Sequence, residues 1–219
     1  MDLKSKMKMN ACVKALECLP KKGKVGLGSG STVDMFAGLI PNDSKAEFFC
    51  VSENAVKILK KKRLKVSDKL RATDIAFDGA DSILGMGAER VAIKGAGALA
   101  FTNEKKIDYS SKKLVLIVDE SKLTNKRPDV VFAEVEKENE HFFIERMAMF
   151  GFQTREVPKN NPHLKGKKNK FFYIILFGKE NLNELEKHIE SVKGVKGCGI
   201  FSMKKFTLVI GNKKGAKVI

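Results

Sequence analysis

Four charged side chains placed to take part in chemistry, Asp78, Asp81, Lys94 and Glu104, and a glycine-rich loop fall within one short run of this 219-residue sequence. Residues 75–106 read IAFDGADSILGMGAERVAIKGAGALAFTNEKK. The apolar run Ile75–Phe77 stops at Asp78-Gly79-Ala80-Asp81, so two carboxylates stand where a buried strand releases its chain into a loop. A second apolar run, Val91–Ile93, stops at Lys94, and Gly95-Ala96-Gly97-Ala98 follows. Small residues there let backbone N–H groups come close to a ligand. Glu104 lies on the helix expected after that loop. Taken singly, an Asp-Gly is a turn, a Lys-Gly a strand end and a Glu among lysines a solvated face. Their conjunction at strand ends, where open α/β sheets bind ligands, marks a functional centre.

A second constellation lies upstream. Val25-Gly26-Leu27-Gly28 runs into Ser29-Gly30-Ser31-Thr32, and Val33–Ile40 has helical spacing, giving strand, hydroxyl-rich loop and helix. That is an anion-binding construction: the hydroxyls of Ser29, Ser31 and Thr32 add donors to a helix N-terminus that carries partial positive charge. The Gly-Lys-Ser/Thr ending of a Walker A loop is missing. Gly26-x-Gly28-x-x-Ser31 lacks the third glycine of a dinucleotide fingerprint, although Glu53 stands after the next strand and keeps that reading open. Three hydroxyls interleaved with glycines favour a terminal phosphate over a pyrophosphate.

To position these groups the chain must alternate strand and helix. A helix over residues 3–19 is broken by Pro20-Lys21-Lys22-Gly23. Strands are then expected at Val25–Gly28, Phe48–Val51, Ile75–Phe77, Val91–Ile93 and Leu114–Val118, with a helix at Asn54–Lys62. This alternation predicts a mostly parallel sheet, and Asp119-Glu120-Ser121-Lys122 brings Lys122 to the same sheet edge. Residues 123–128, LTNKRP, form a polar connector. Beyond it the spacing predicts strands at Phe132–Glu136, Gln153–Val157 and Phe171–Phe177, helices at Phe142–Phe150 and Leu182–Val192, and a basic loop at Pro158–Lys170. Strands at Cys198–Phe201 and Phe206–Ile210 follow, the last returning to the first sheet. The class expected is α/β: a Rossmann-like, mostly parallel sheet domain (1–126 plus 205–219) with a second, smaller α+β, ferredoxin-like domain (127–204).

With 43% hydrophobic residues the chain can build a core without staples. Cys12, Cys18, Cys50 and Cys198, and His141, His163 and His188, show neither disulfide nor metal spacing, which fits a reducing cytoplasm and no metal. No run is long enough to span a bilayer, and the N-terminus has no apolar signal core, so no membrane partner is expected. The net charge of +16 suits a nucleic acid or an anionic small molecule. The basic residues are mostly lysine, are spread along the chain and accompany no helix-turn-helix, finger or RNP motif, which argues against nucleic acid.

In order, VGLGSGSTV, AFDGADS, AIKGAGAL...TNEK and IVDESK resemble ribose-5-phosphate isomerase of the A type, whose motifs read GxGTGSTA, DGADE, KGGGGAL...REK and V-D-[EA]-S-K. The resemblance covers Val25 to Lys122 and continues faintly through Val192-Lys193-Gly194-Val195, Gly199-Ile200-Phe201 and Val209-Ile210-Gly211. It implies a cofactor-free aldose–ketose isomerase of the non-oxidative pentose phosphate pathway, a cytoplasmic homo-oligomer (dimer or tetramer) acting on a small sugar phosphate. By motif position it makes Glu104 the base, with Asp78, Asp81 and Lys94 as further catalytic residues. Ser29, Gly30, Ser31, Thr32, Asp78, Gly79, Ala80, Asp81, Lys94, Gly95, Ala96, Gly97 and Lys122 would contact the substrate. The chain departs from the family pattern at Ser82 (Glu in the family), Ala96 (Gly) and Asn103 (Arg), and the family's T-D-N-G motif is absent around Pro162–Lys170. Lys94 and Glu104 are ten residues apart where the family has nine, so one residue is inserted, assigned here to the glycine loop. Were it in the helix instead, Asp81 would have to act as base. A sugar-phosphate-binding or transferase relative without isomerase activity is the alternative, since fold does not fix function.

Overall fold

Helix α1 (Leu3–Ala15) opens on Asp2, whose carboxylate accepts from the Ser5 amide at 2.9 Å, and continues as a 3-10 turn over Leu16–Cys18. The computed structural model describes residues 2–67, 69, 71–85 and 89–219. From α1 the chain runs through β1 (Lys22–Leu27), α2 (Ser31–Leu39), β2 (Lys45–Cys50), α3 (Glu53–Lys61), β3 (Lys65–Ser67) and β4 (Ile75–Asp78). Next come β5 (Ser82–Leu84), β6 (Val91–Ile93), α4 (Phe101–Ser110) and β7 (Lys113–Asp119). The remainder is β8 (Val130–Val135), α5 (Glu140–Met149), β9 (Thr154–Glu156), β10 (Lys170–Ile175), α6 (Leu182–Ser191), β11 (Val195–Cys198), β12 (Ile200–Phe201), β13 (Thr207–Gly211) and β14 (Ala216–Val218).

These elements fall into two compact units. The first comprises Met1–Ala80, Asn103–Leu123 and Lys204–Ile219, and is built on a sheet of order β14-β13-β7-β4-β1-β2-β3. All its pairings are parallel except that of β13 with β14. Strand β7 is buried from Leu114 to Asp119 without alternation, the signature of a parallel strand covered on both faces. Phe36 of α2 stacks on Phe77 of β4 with ring centroids 4.6 Å apart, a contact whose truncation to alanine costs about 3–5 kcal/mol. The expected return of the chain after Phe206 is β13, parallel to β7 with Thr207 opposite Val115.

The second unit takes Asp81–Thr102 and Thr124–Met203. Its four-stranded antiparallel sheet has order β11-β8-β10-β9, which with α5 and α6 is the β-α-β-β-α-β ferredoxin-like arrangement. Here β8 does alternate: Val131, Ala133 and Val135 are buried, against Phe143 and Met147 of α5 and Leu185 and Ile189 of α6. A three-stranded sheet, β12-β6-β5, completes the unit. Two features differ from expectation. Segment 81–102, assigned from sequence to the first domain, packs with the second unit because β5 pairs with β6 and β6 pairs with β12. The single strand expected at Cys198–Phe201 is two, belonging to different sheets and separated at Gly199.

Candidate active site

In the first unit the carboxyl ends of β1 and β4 are joined by backbone: the Gly28 amide donates to the Phe77 carbonyl at 3.0 Å. The next residue of β4, Asp78, is almost fully buried and accepts through Oδ1 from the Ser29 amide (3.2 Å) and the Gly79 amide (2.7 Å). A Cβ on Gly28 would run into this carboxylate, so the loop can follow its path only with glycine there. The Ser29 hydroxyl in turn donates to Oε1 of Glu104, which is 8% exposed in the first turn of α4. Glu104 therefore reaches the hydroxyl-rich loop. In the loop ahead of α4, Leu99 adopts φ +51°, a left-handed conformation costly for a non-glycine residue.

Gly30 is the N-cap of α2, so Ser31 and Thr32 occupy its first turn with the helix N-terminus behind them. Lys8 of α1 donates from Nζ to the Ser31 hydroxyl at 2.8 Å. Four residues along α1, Cys12 donates from Sγ to the Thr32 carbonyl at 3.5 Å, and burial pushes its thiol up to about 12. Thus α1 holds the hydroxyl loop and adds an ammonium to it. Lys122 closes a 3-10 turn (Glu120–Lys122) after β7; buried Asp119 fixes that turn by accepting from the Ser121 amide at 3.2 Å and from its hydroxyl. Hydroxyls, an ammonium and a helix N-terminus can seat a phosphate, and a buried carboxylate beside them can take a proton from what that phosphate carries.

In the second unit Asp81 is tied to the residues on either side of Lys94. The Asp81 amide donates to the Ile93 carbonyl and Asp81 Oδ2 accepts from the Ala96 amide, both at 2.8 Å. Lys94 is 3% exposed; its amide donates to the Gly199 carbonyl at 2.9 Å, and its Nζ lies 4.4 Å from the centroid of the Phe201 ring. Ser82 is half-buried and pairs with Ile93 across β5 and β6. Asn103 is exposed on α4, and Ala96 and Gly97 are exposed in the loop.

Ser29, Asp78, Gly79 and Glu104 are thus brought into one network, while Asp81 is bonded to Ala96, and Lys94 is in contact with Gly199 and Phe201. The Lys122 ammonium has no hydrogen bond or ion pair among the described residues. Sequence reasoning missed two contributors. Lys8 is one of several lysines in a helix without a motif, and nothing local says that it meets a residue 23 positions on. Phe201 was legible only as a strand residue. A cleft of about 610 Å³ on the second unit, lined by Leu84, Arg127, Lys179 and Asn183 among others, contains none of the expected site residues. Glu186, Glu190 and Cys198 bring ligand-type atoms within 4.8 Å of one another, a grouping that no sequence spacing announced.

The sequence model of the family described as Ribose 5-phosphate isomerase A (phosphoriboisomerase A) matches residues 48–215. Among curated relatives, ribose-5-phosphate isomerase A of Pasteurella multocida is 30% identical over 228 residues, covering 97% of each chain. That of Haemophilus influenzae is 32% identical over 223 residues, again with 97% of each covered. Among solved structures, ribose 5-phosphate isomerase A from Methanocaldococcus jannaschii superposes with a TM-score of 0.86 at 26% identity, covering 99% of both chains.

Proposed function

Because the chain belongs to the ribose-5-phosphate isomerase A family, we propose that it interconverts D-ribose 5-phosphate and D-ribulose 5-phosphate. The reaction moves a proton between C1 and C2 through an enediolate, so it needs a carboxylate base and groups that hold the developing oxyanion. Electrons shift only within the substrate, and the chemistry as written requires no cofactor. The observation that carries this reading is the Ser29–Glu104 hydrogen bond, which sets a buried carboxylate beside an anion-binding loop.

In the roles we assign, Glu104 takes the proton from C2 of the aldose and returns it to C1. Ser29, Gly30, Ser31 and Thr32 hold the phosphate, and Lys8 and Lys122 neutralise it. Lys94 stabilises the enediolate oxygen by charge, while Asp78 and Asp81 bind hydroxyls or exchange a proton with the ring oxygen during opening. Gly79, Ala80, Gly95, Ala96 and Gly97 contribute backbone contacts to the sugar. We further assign the enzyme to the cytoplasm as a homo-oligomer, dimer or tetramer, for which light scattering is the test; no described helix is long and apolar enough to cross a membrane. A coupled assay that follows ribulose 5-phosphate formation from ribose 5-phosphate tests the function. Ligand-dependent stabilisation without turnover would favour a non-catalytic sugar-phosphate binder instead.

A further inference from the structure

A buried ammonium is expensive unless something meets its charge. Lys94, 3% exposed, presents its Nζ 4.4 Å from the centre of the Phe201 ring, inside the roughly 6 Å range over which a ring's negative face attracts a cation. Phe201 is itself buried, and the backbone holds it from both sides. Ahead of it, β12 pairs with β6, Ile200 opposite Ile93 and Phe201 opposite Ala92. Gly199 donates its amide to the Phe132 carbonyl at 2.8 Å and accepts the Lys94 amide; any Cβ on it would collide with the Lys94 carbonyl. Behind it, the fully buried Glu186 carboxylate accepts through Oε2 from the Ser202 amide (2.7 Å), the Ser202 hydroxyl (2.5 Å) and the Met203 amide (3.2 Å). A buried carboxylate on α6 thus holds the two residues that follow Phe201.

We propose that Phe201 is a positioning residue for catalysis: its ring face fixes the Lys94 ammonium, and Glu186 fixes the ring. An aromatic face suits this task because it attracts a cation and fixes its place without itself supplying a formal negative charge. The inference rests on the isomerase reading and deepens it.

The contact and its consequence are tested separately. In the intact protein, the Lys94 side-chain methylene protons should show an upfield ring-current shift in NMR, lost in Phe201→Leu and retained in Phe201→Tyr. In turnover, Phe201→Leu keeps apolar bulk but removes the ring face, and should lower kcat about tenfold with KM within about twofold, the pattern of an interaction made in the transition state. Phe201→Tyr should stay within about threefold of the parent, whatever its melting temperature, because a ring face remains. In a Lys94→Met background, adding Phe201→Leu should change kcat less than about twofold, since a residue acting through Lys94 has nothing left to act on. A Phe201→Leu loss of equal size in both backgrounds would overturn the proposal, as would kcat that merely follows melting temperature across the two substitutions. If Phe201→Leu does not fold, Phe201→Met is judged by the same comparison. A wild-type protein that shows the ring-current shift but does not turn over ribose 5-phosphate would sink the isomerase reading and leave the contact standing. Normal turnover without the shift would sink this inference alone.

Discussion

At the scale of single residues, the base we propose is Glu104, in the first turn of α4. The Ser29 hydroxyl is directed at Glu104 Oε1, whereas Asp81 Oδ2 is already engaged by the Ala96 amide. Glu104→Gln should therefore lower kcat by about two orders of magnitude or more, the usual contribution of a general base, with KM little changed because the amide keeps the shape. Near-normal turnover in that variant, beside an inactive Asp81→Asn, would move the base to Asp81. Thr32 supplies a hydroxyl in the first turn of α2, and Thr32→Ala should weaken substrate binding by roughly 1–3 kcal/mol, the scale of a hydrogen bond to a charged group. An unchanged KM and an unchanged inhibition constant for inorganic phosphate would remove Thr32 from the anion seat. Asp78 and Lys94 stand out in the sequence because each ends an apolar run, with Asp81 three residues after Asp78, and a strand end is a local signal; their roles are those we propose. Lys8 was not legible, since its usefulness depends on a crossing of α1 over the start of α2 that its neighbours in sequence do not encode.

At the scale of elements, two joints of the first unit make predictions. Helix α3 ends in a left-handed residue, Arg63 at φ +59°, after which the Leu64 amide reaches back to the Leu59 carbonyl at 3.0 Å. Glycine normally fills this place, and Arg63 is exposed, so Arg63→Gly loses little packing and should stabilise the fold by up to about 1 kcal/mol in a denaturant titration. A destabilised variant would mean that the arginine side chain contributes more than its backbone costs. The second joint is Asp74, just ahead of β4: Oδ2 accepts from the Lys24 amide of β1 (2.9 Å) and Oδ1 from Nζ of Lys112, just ahead of β7 (2.8 Å). The Lys112 hydrogen bond, followed by that of the Lys24 amide, holds the Asp74 carboxyl below its ordinary value. A depressed carboxyl contributes stability that is present above the unfolded pKa, near 3.8, and is lost as pH falls through the lower folded value. Asp74→Asn should accordingly flatten the fall of melting temperature below about pH 4, and an unaltered acid limb would show the joint to be inert. Most of the strands and helices could be read from periodicity, which is strong where β7 runs six buried residues and where β8 alternates. The allegiance of β5 and β6 could not be, because they are three residues each and join the unit through the pairing of β6 with β12, more than a hundred positions away. The break at Gly199 is hidden for the same reason: it is imposed by the approach of Lys94 and not by a turn signal.

At the scale of the whole molecule, the charge of +16 has no single location in the sequence and acts as a field. A dianionic sugar phosphate approaching such a surface is drawn in over a distance set by the salt, about 30 Å at 0.01 M and about 8 Å at 0.15 M. Raising the salt across that range removes the contribution of distant lysines and leaves the near ones, so capture should slow while the bound complex is hardly altered. Lys94 and Glu104 are 3% and 8% exposed, and buried charges are screened far less than surface ones. The expected result is a fall of several-fold in kcat/KM between 0.01 and 0.15 M inert salt, with kcat constant to within about twofold. A kcat that falls in parallel would mean that salt reaches the buried groups and that they are open to solvent in the working enzyme. A kcat/KM that does not move would mean that the excess of lysine serves something other than substrate capture, and that the phosphate is held by its immediate partners, Ser31, Thr32, Lys8 and Lys122, without help from the rest of the chain.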